Sequence, residues 1–573
     1  MPDSRDRDEL ADALSEDGAP RPGEAADAAD DGGAGSPRTG AGQDASGGTR
    51  RRPLLALGAL LPLAAAAAAV VELPPRGAPE AERAATTARP GPLTLLVPGP
   101  VQVPQEVLDT ATDADLAVTP PSTAVAVGAI ALETDSSLLF GRVSGSETRR
   151  DEQGEASAPA LTLEDAVNTG GSALDATVTA GEVGNTVLGA SAVEGAARIG
   201  AATAEDDRPV ADAVQSTLTP SGDYRSLALT RALPPSAEGI FLGLTTTAGS
   251  SAQLVLRNPS SRPATAALQV WTPDGPAAMS GRSQVVVAPG EEQSVLLESI
   301  VPDQEALALE VAVQGSPLAM HLQLSERSGL TPGGVEILTP IAAPDRDLVI
   351  PGVEVAGTAP TLVLANLRAQ DTTAQVEVLG PDGVIDEGSP GEVPVTGESV
   401  TTLALESLPD GAVTVRVRAD AAICAAVRSP IAGADLAGST LGAPVDLAVL
   451  VPAPSLTSSG IVALPPGGGH GWLTLAAEAD TTCTLITVAA DATTSEPIVR
   501  ELAADTSTVV ADPSLRAGGA QPVAVVVVPD QPGAVRAAWM QREQDGAGGV
   551  LHSAVTVVPS AATGEGTSIR VED

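Results

Sequence analysis

The side chains that most often perform metal or acid–base chemistry are few and scattered in this sequence. The three histidines are His321, His470 and His552, and no H-E-x-x-H motif surrounds any of them. A zinc site needs several histidine or cysteine ligands at short spacing, so dispersed histidines do not predict one. His321 aligns with Ala425 in an internal repeat, and His470 lies in the stretch GGGHGW, where a lone histidine is ordinarily solvated. We therefore predict no metal site and no cofactor.

Carboxylates are abundant, but no pattern marks a catalytic pair. Aspartate and glutamate total 73, so a hydrolase with a glycosidase-type carboxylate pair stays open as the least favoured alternative. The acidic run Glu205-Asp206-Asp207 lacks the ligand spacing of a calcium loop and is expected to be solvated. The sequence has no G-x-S-x-G motif and no lysine, which excludes a nucleophile elbow, a Schiff base and a P-loop lysine. We predict that the protein is not an enzyme and has no catalytic residues.

Sulfur and aromatic side chains are equally few. Cys424 and Cys483 fall at apolar strand positions of different repeat units, so we expect buried free thiols, with a disulfide between units as the alternative. The chain has only six aromatic residues: Trp271, Trp472, Trp539, Tyr224, Phe140 and Phe241. Trp271 stands just before a Pro-Asp-Gly turn and is expected in the core or at its rim. So few rings argue against a sugar-binding groove.

The charge balance excludes a further class of partner. Among 573 residues, lysine and arginine total 31 against 73 aspartates and glutamates, which gives a net charge of −42. Nucleic-acid affinity depends on lysine and arginine contacts with phosphate, so we expect no nucleic-acid partner. Such a charge favours solubility and attracts cations or basic partners.

A short apolar segment separates an acidic amino-terminal tail from the rest of the chain. Residues 1–49 are poor in large apolar side chains, so we predict a disordered cytoplasmic tail. Three arginines, residues 50–52, precede the uncharged segment 53–71, which would span about 28 Å as a helix, close to the bilayer core. By the positive-inside rule we predict a single-pass signal anchor with the carboxyl-terminal bulk outside the cell. A cleaved signal peptide, giving a secreted protein, is the alternative.

The remainder contains an internal repeat. Residues 254–275 align without a gap with residues 362–383, and a weaker third copy begins at Leu473. Similar proline-containing segments, LLVPGPV, DLVIPGV and AVLVPAP, precede the units and are interpreted as linkers. We expect these linkers to space the units as an extended array.

The local pattern of the repeats is typical of strands. Residues 413–418 alternate strictly between valine and polar residues, which predicts a half-buried strand. Pro-Asp-Gly triplets at 273–275, 381–383 and 409–411 predict tight turns. Short strands in units of this size predict a mainly β protein of tandem immunoglobulin-like β-sandwiches, since a β-propeller would show a shorter repeat.

The resulting organisation assigns every part of the chain. It has a disordered tail at 1–49, a transmembrane signal anchor at 50–73, an irregular β-rich unit at 74–230, β-sandwich units at 231–346, 347–447 and 448–565, and a tail at 566–573. The predicted inward apolar positions are Leu254, Leu256, Leu268, Val270, Leu362, Leu364, Val376 and Val378.

Several of these motifs together resemble a known family. A V-P-G-P motif follows the apolar segment, the later motif L-x-L-x-N-P is carried by Leu254, Leu256, Asn258 and Pro259, and a P-D-G turn follows at 273–275. With the charged tail and the single apolar segment, the chain resembles the actinobacterial domain of unknown function 5719. The resemblance covers most of the chain beyond the apolar segment. It implies a secreted or membrane-anchored envelope protein and assigns no activity to any residue.

Three functions follow from these observations. The favoured one is a non-enzymatic, membrane-anchored extracytoplasmic protein of the cell envelope that presents its sandwich surfaces to protein or envelope partners. The alternative is a glycan-binding accessory subunit of a membrane enzyme, which would need an aromatic-lined groove. A hydrolase would need a convergent polar pocket with shifted carboxyl pKa values.

Overall fold

Strands dominate the regular structure because short runs rich in valine and threonine alternate with turn residues. The computed structural model describes residues 86–88, 91–103, 120–144, 148–166, 171–203, 208–279, 283–435, 442–464, 470–511, 514–516, 521–560 and 567–569. The predicted tail at 1–49, the predicted anchor at 50–73 and the acidic run at 205–207 lie outside these residues. Within the described ranges, no helix is long and apolar enough to cross a membrane.

The first strand group covers residues 93–231. Its strands are β2 Leu93–Val97, β3 Ala124–Leu132, β4 Ala160–Asp165, β5 Val178–Ala180, β6 Asn185–Ala192, β7 Ala197–Ala202, β8 Val210–Thr219 and β9 Ser226–Arg231. They form an antiparallel sheet in the order β2-β7-β4 and a second one in the order β5-β6-β3-β8-β9. A short 3-10 helix, Ser137–Phe140, follows β3, and strand β1, Thr86–Ala88, precedes the group.

The second strand group covers residues 238–338. Its strands are β10 Glu238–Leu244, β11 Ser250–Arg257, β12 Ala264–Thr272, β13 Gly275–Pro276, β14 Gln284–Val287, β15 Glu292–Leu296, β16 Leu307–Gly315, β17 Ala319–Ser328 and β18 Thr331–Leu338. One sheet has the order β10-β16-β12-β13 with β14 beside β12, and the other has the order β15-β11-β17-β18. A 3-10 turn at Leu297–Ser299 follows β15.

The third strand group covers residues 345–450 and contains one very long strand. Its strands are β19 Asp345–Val355, β20 Thr361–Asn366, β21 Thr372–Gly380, β22 Gly383–Val384, β23 Gly391–Val395, β24 Ser399–Ala404, β25 Gly411–Ala432 and β26 Val445–Leu450. A 3-10 turn lies at Asp386–Gly388. The first part of β25 pairs with β19 and β21, and its second part pairs with β20 and β26, so one strand belongs to both halves of an eight-stranded sheet.

The fourth strand group covers residues 460–559. Its strands are β27 Gly460–Ala463, β28 His470–Ala477, β29 Thr481–Ala489, β30 Ile498–Leu502, β31 Thr506–Ala511, β32 Pro522–Pro529, β33 Val535–Gln544, β34 Val550–Thr556 and β35 Val558–Pro559. The sheets have the orders β30-β29-β32-β27-β35 and β31-β28-β33-β34. The last strand, β36 Thr567–Ile569, pairs with β1.

Alternate side chains of these strands form the hydrophobic cores. All eight inward positions that the sequence predicted are buried, and Leu256 and Leu364 are 0% exposed. In the second group one core contains Leu254 of one sheet and Leu268 of the other, so the two sheets enclose it. The mainly β fold class is therefore confirmed, whereas the immunoglobulin-like topology and the exact unit boundaries stay predictions.

Each Pro-Asp-Gly triplet places its glycine at positive φ. Gly275, Gly383 and Gly411 have φ angles of 115°, 118° and 129°, a backbone region that other residues rarely adopt. The first two glycines begin β13 and β22, which pair back onto β12 and β21. The turn prediction is confirmed at 273–275 and 381–383, whereas at 409–411 the chain bends at Asp410 and continues into β25.

One strand near the end of each group meets the others around a common axis. Strand β9 contacts β18 and β34, and β26 contacts the same two strands from the other side, so the four strands close on one another. Residues Ala85–Asp573 accordingly form one compact unit. The expected extended array is therefore wrong. A single core joins Leu132 of the first group to Leu485 of the fourth, because neighbouring groups bury apolar surface against each other at a gain of roughly 25 cal/mol per Å².

Candidate functional site

Ionisable and polar side chains are concentrated on the axis, where the surrounding strands are otherwise apolar. Glu336 lies on β18, Asp446 on β26, and His552 and Ser553 on β34, and each is at most 3% exposed. We call these four residues the axial cluster. An ionisable group is costly to bury without a partner, so the contacts of these residues decide what the cluster does.

Asp446 and His552 hold three strand groups together. The Oδ2 atom of Asp446 accepts hydrogen bonds from the backbone N–H groups of His552 at 2.8 Å and Leu227 at 3.4 Å. The Nε2 atom of His552 donates to the carbonyl oxygen of Ser429 at 2.9 Å, since a carbonyl only accepts. Among the described residues, the Oδ1 atom of Asp446 and the Nδ1 atom of His552 have no hydrogen-bond partner.

Ser553 and Glu336 make a second link across the axis. The Oγ atom of Ser553 accepts from the backbone N–H of Leu229 at 3.0 Å and donates to the Oε2 atom of Glu336 at 3.1 Å. Strands β9, β34 and β18 are therefore joined through one hydroxyl group. Each link therefore forms only when the strand groups that supply its donors and acceptors are folded against one another.

Three ion pairs surround the axial cluster. They are Arg225 with Asp545, Arg231 with Asp212, and Arg542 with Glu354. Arg231 also donates to the Oγ1 atom of Thr556 at 3.1 Å, which ties the first strand group to the fourth. Each arginine is paired with a carboxylate outside the cluster, so Glu336 and Asp446 have no arginine ion pair within the described structure.

Burial shifts the protonation equilibria of the cluster. Burial, followed by the charge of Asp446, raises the pKa of Glu336 well above its usual range. Burial also raises the pKa of Asp446 to about 6, and it lowers the pKa of His552 to about 4. The axis therefore favours the neutral form of all three groups.

The axial cluster has no room for a substrate beyond a few waters. A cavity of about 60 Å³ lies beside Glu336, with walls from strands of all four groups. A water needs roughly 10–15 Å³ of such space, so a sugar ring does not fit. Glu336 and Asp446 thus meet the shifted-pKa criterion of a hydrolase but lack the substrate pocket that the same hypothesis requires.

A larger pocket, of about 550 Å³, lies where the first three strand groups meet. We call it the three-group pocket. The first group contributes Leu96 and Arg231, the second contributes Trp271 and His321, and the third contributes Arg368. This volume lies within the range of small-molecule sites.

Three side chains that the sequence motifs drew attention to have different surroundings in the structure. His321 is half-buried in the pocket wall, and burial lowers its pKa to about 4. Trp271 is 3% exposed and belongs to the core of the second group, as expected. His470 is exposed at the start of β28, also as expected. No sequence pattern predicted that His321 lies in a pocket.

Both cysteines are buried free thiols, as predicted. Cys424 lies in the core that the second and third groups share, and Cys483 lies in the core that the first and fourth share. Burial raises the pKa of each thiol to about 12.

The strand register corrects one detail of the repeat alignment. Leu256 pairs with Met320, and the equivalent Leu364 pairs with Ala425. Met320 therefore corresponds to Ala425, and His321 corresponds to Ala426 rather than to Ala425. The alignment was shifted by one residue, although the structural counterpart of His321 is still an alanine.

Sequence reasoning missed the carboxylates of the axial cluster. Glu336 stands between Val335 and Ile337, and Asp446 lies in the run VDLAVL. A single acid inside an apolar strand was the available signal. That signal indicates a buried carboxylate, but it does not reveal the partners on other strand groups.

Fold and site together define a mainly β protein whose strand groups close around a buried polar axis beside an apolar pocket. The chain belongs to the family of unknown function DUF5719, whose model matches residues 187–513, more than half of the chain. This confirms the family suggested by the sequence motifs. Comparison with curated proteins and with solved structures gave no match.

Proposed function

We propose that the protein is a non-enzymatic component of the cell envelope that binds a protein or another envelope partner. In this proposal the apolar segment 53–71 anchors the chain, and the four strand groups, as immunoglobulin-like units, lie outside the cytoplasmic membrane. The arginines at 50–52 support this orientation.

One observation carries the proposal: the carboxyl groups with raised pKa values and the accessible pocket are in different places. A general acid needs a carboxyl group kept protonated where a substrate can reach it. Glu336 and Asp446 are at most 3% exposed, and neither lines the three-group pocket. The axial cluster therefore suits a structural role, and the pocket suits binding.

The glycan-binding alternative receives less support. Sugar-binding sites commonly offer an exposed aromatic face, and the aromatic residue of the three-group pocket is Trp271, which is 3% exposed. A glycan partner is accordingly an outcome of the test rather than a second proposal.

The test combines partner capture with a turnover screen. A photo-crosslinking amino acid replaces Glu238, which is exposed at the pocket, and in a control variant it replaces the exposed Asp480 of the fourth group. We expect capture of an envelope partner in living cells at position 238 and not at position 480. Protease added to spheroplasts should remove everything except the tail and the anchor.

Two results would contradict the proposal. One is turnover of a hydrolase substrate that a single Asp→Asn or Glu→Gln substitution abolishes. The other is equal labelling of the same proteins at both positions, which would indicate non-specific contact.

A further inference from the structure

The wall of the three-group pocket is mainly aliphatic. Val97 and Leu233 come from the first part of the chain, Leu318 directly precedes β17, Met320 lies in β17, and Leu367 comes from the third group. Apolar walls favour ligands that carry apolar surface, at a gain of roughly 25 cal/mol per Å² removed from water. The body of a matching ligand is therefore a flexible aliphatic chain rather than a ring that needs stacking.

Proline reduces the polar character of the wall further. Pro98, Pro234, Pro340 and Pro344 all line the pocket. Proline has no backbone N–H, so these four positions offer no main-chain donor to a ligand. An extended peptide, which relies on main-chain hydrogen bonds, finds few partners here.

Two of the arginines in the wall are already neutralised. Arg231 forms an ion pair with Asp212 at 2.8 Å, and Arg257 forms one with Glu292 at 2.6 Å. These pairs remove the positive charge that an anionic ligand would need.

The other charged groups of the wall have opposite signs. Arg368 is exposed, Glu310 is half-buried, and Glu238 is exposed to water. The pocket therefore has no excess positive charge, since Glu238 and Glu310 offset Arg368.

His321 supplies a neutral polar contact inside the pocket. Its pKa of about 4 keeps the ring uncharged at neutral pH, so one nitrogen donates and the other accepts. Within the described structure this ring has no hydrogen bond. A hydroxyl group can pair with either ring nitrogen of His321, because it donates and accepts at one atom.

We infer that the three-group pocket binds an aliphatic chain that ends in a neutral, hydroxyl-bearing group. The inference rests on the proposed function only in treating the pocket as a binding site rather than an active site. A monoacylglycerol or a long-chain alcohol has this chemistry, and a fatty acid or an alkylammonium ion does not.

The test uses the full-length protein and monolaurin, with binding measured by calorimetry. Ala343 lines the pocket and is exposed, so Ala343→Trp fills the pocket without disturbing a core. Ala504→Trp places the same ring at an exposed turn of the fourth group and serves as the matched control. We expect Ala343→Trp to weaken binding by about tenfold or more, as its bulk replaces ligand volume, and Ala504→Trp to leave it unchanged.

The polar end of the ligand is tested separately. Monolaurin is compared with methyl laurate, which lacks the hydroxyl groups, and with dodecanoic acid and dodecylammonium, which are charged. We expect monolaurin to bind most tightly, and His321→Leu to reduce its advantage over methyl laurate by about three- to tenfold, the value of one hydrogen bond. A merely structural effect of this substitution would weaken the binding of both ligands equally.

Each contrary result overturns the inference. Equal binding of monolaurin to the wild type and to Ala343→Trp would place the ligand elsewhere, including the apolar segment 53–71. Tighter binding of dodecanoic acid or dodecylammonium would show that the ligand is charged. Capture of a partner at position 238 together with absent monolaurin binding would refute the ligand class and leave the proposed function standing.

Discussion

Asp446→Asn should stabilise the folded protein progressively more as the pH rises from 4 to 7. Asp446 is 0% exposed, and its Oδ1 atom has no hydrogen-bond partner in the described structure. The asparagine side chain keeps an oxygen that can accept from the backbone N–H groups of Leu227 and His552. It carries no charge, so the variant avoids the cost of burying an ionised carboxylate.

The magnitude follows from the pKa of Asp446, which burial raises from 3.8 to about 6. Because the folded-state pKa lies above the unfolded one, ionisation penalises the folded state. The penalty is absent well below pH 3.8, grows as the pH rises towards 6, and is complete above it. A shift of about two units corresponds to ~3 kcal/mol in total, of which about 2 kcal/mol develops between pH 4 and pH 7.

The assay is urea unfolding of the wild type and the variant at pH 4, 5.5 and 7. Asp274→Asn, at an exposed turn, controls for the general effect of removing one negative charge. Burial lowers the pKa of His321 and of His552 to about 4, so both histidines destabilise the fold as the pH falls from 6.5 towards 4. The effect of His321 cancels among the three proteins, whereas in Asp446→Asn the pKa of His552 falls further, because the nearby negative charge that raises it is gone. A stability difference between Asp446→Asn and the wild type that stays constant with pH would refute the reasoning.

Three further predictions concern the cores and the links between groups. Leu256→Ala should lower the free energy of unfolding by about 2–5 kcal/mol in urea denaturation, because the side chain is 0% exposed, and a loss near zero would argue against that burial. Arg231→Met should cost about 3–5 kcal/mol in the same assay, since Asp212 at 2% exposed would keep a buried charge without its ion pair, and Asp212→Asn added to it should restore part of the loss. Cys424 and Cys483 should react with a thiol reagent only after unfolding, as mass spectrometry would show, whereas a disulfide between them would leave neither reactive without reduction.

The strands and turns were predictable because their causes are local. The alternation in residues 413–418 lies within β25, and the glycine of each Pro-Asp-Gly triplet adopts positive φ. Asn258 and Asn366 also recurred in the sequence, and both are 0% exposed, with side chains that donate to turn carbonyls at Arg262 and Gln370. A pattern within about ten residues was enough for each of these features.

The axial cluster and the three-group pocket were not predictable, because each depends on residues that are far apart in the chain. Ser553 and Glu336 are 217 positions apart, and the pocket joins Leu96 to Arg368. The proline-containing segments predicted linkers that hold the strand groups apart. No local pattern indicated that the groups fold back onto one another. Contacts at such separations depend on which apolar surfaces each group leaves uncovered.

The closure of β9 against β34 has a consequence for the order in which the chain becomes complete. Ile130 and Val187 near the start share a core with Ile486 and Val526 near the end. A chain that emerges amino terminus first cannot complete this shared core until its final strands have left the ribosome or the translocation channel. A chain that stops early therefore leaves the apolar side chains of the first group that belong to this core exposed to water. Proteases that recognise exposed apolar segments would degrade such incomplete chains, so that only full-length chains persist.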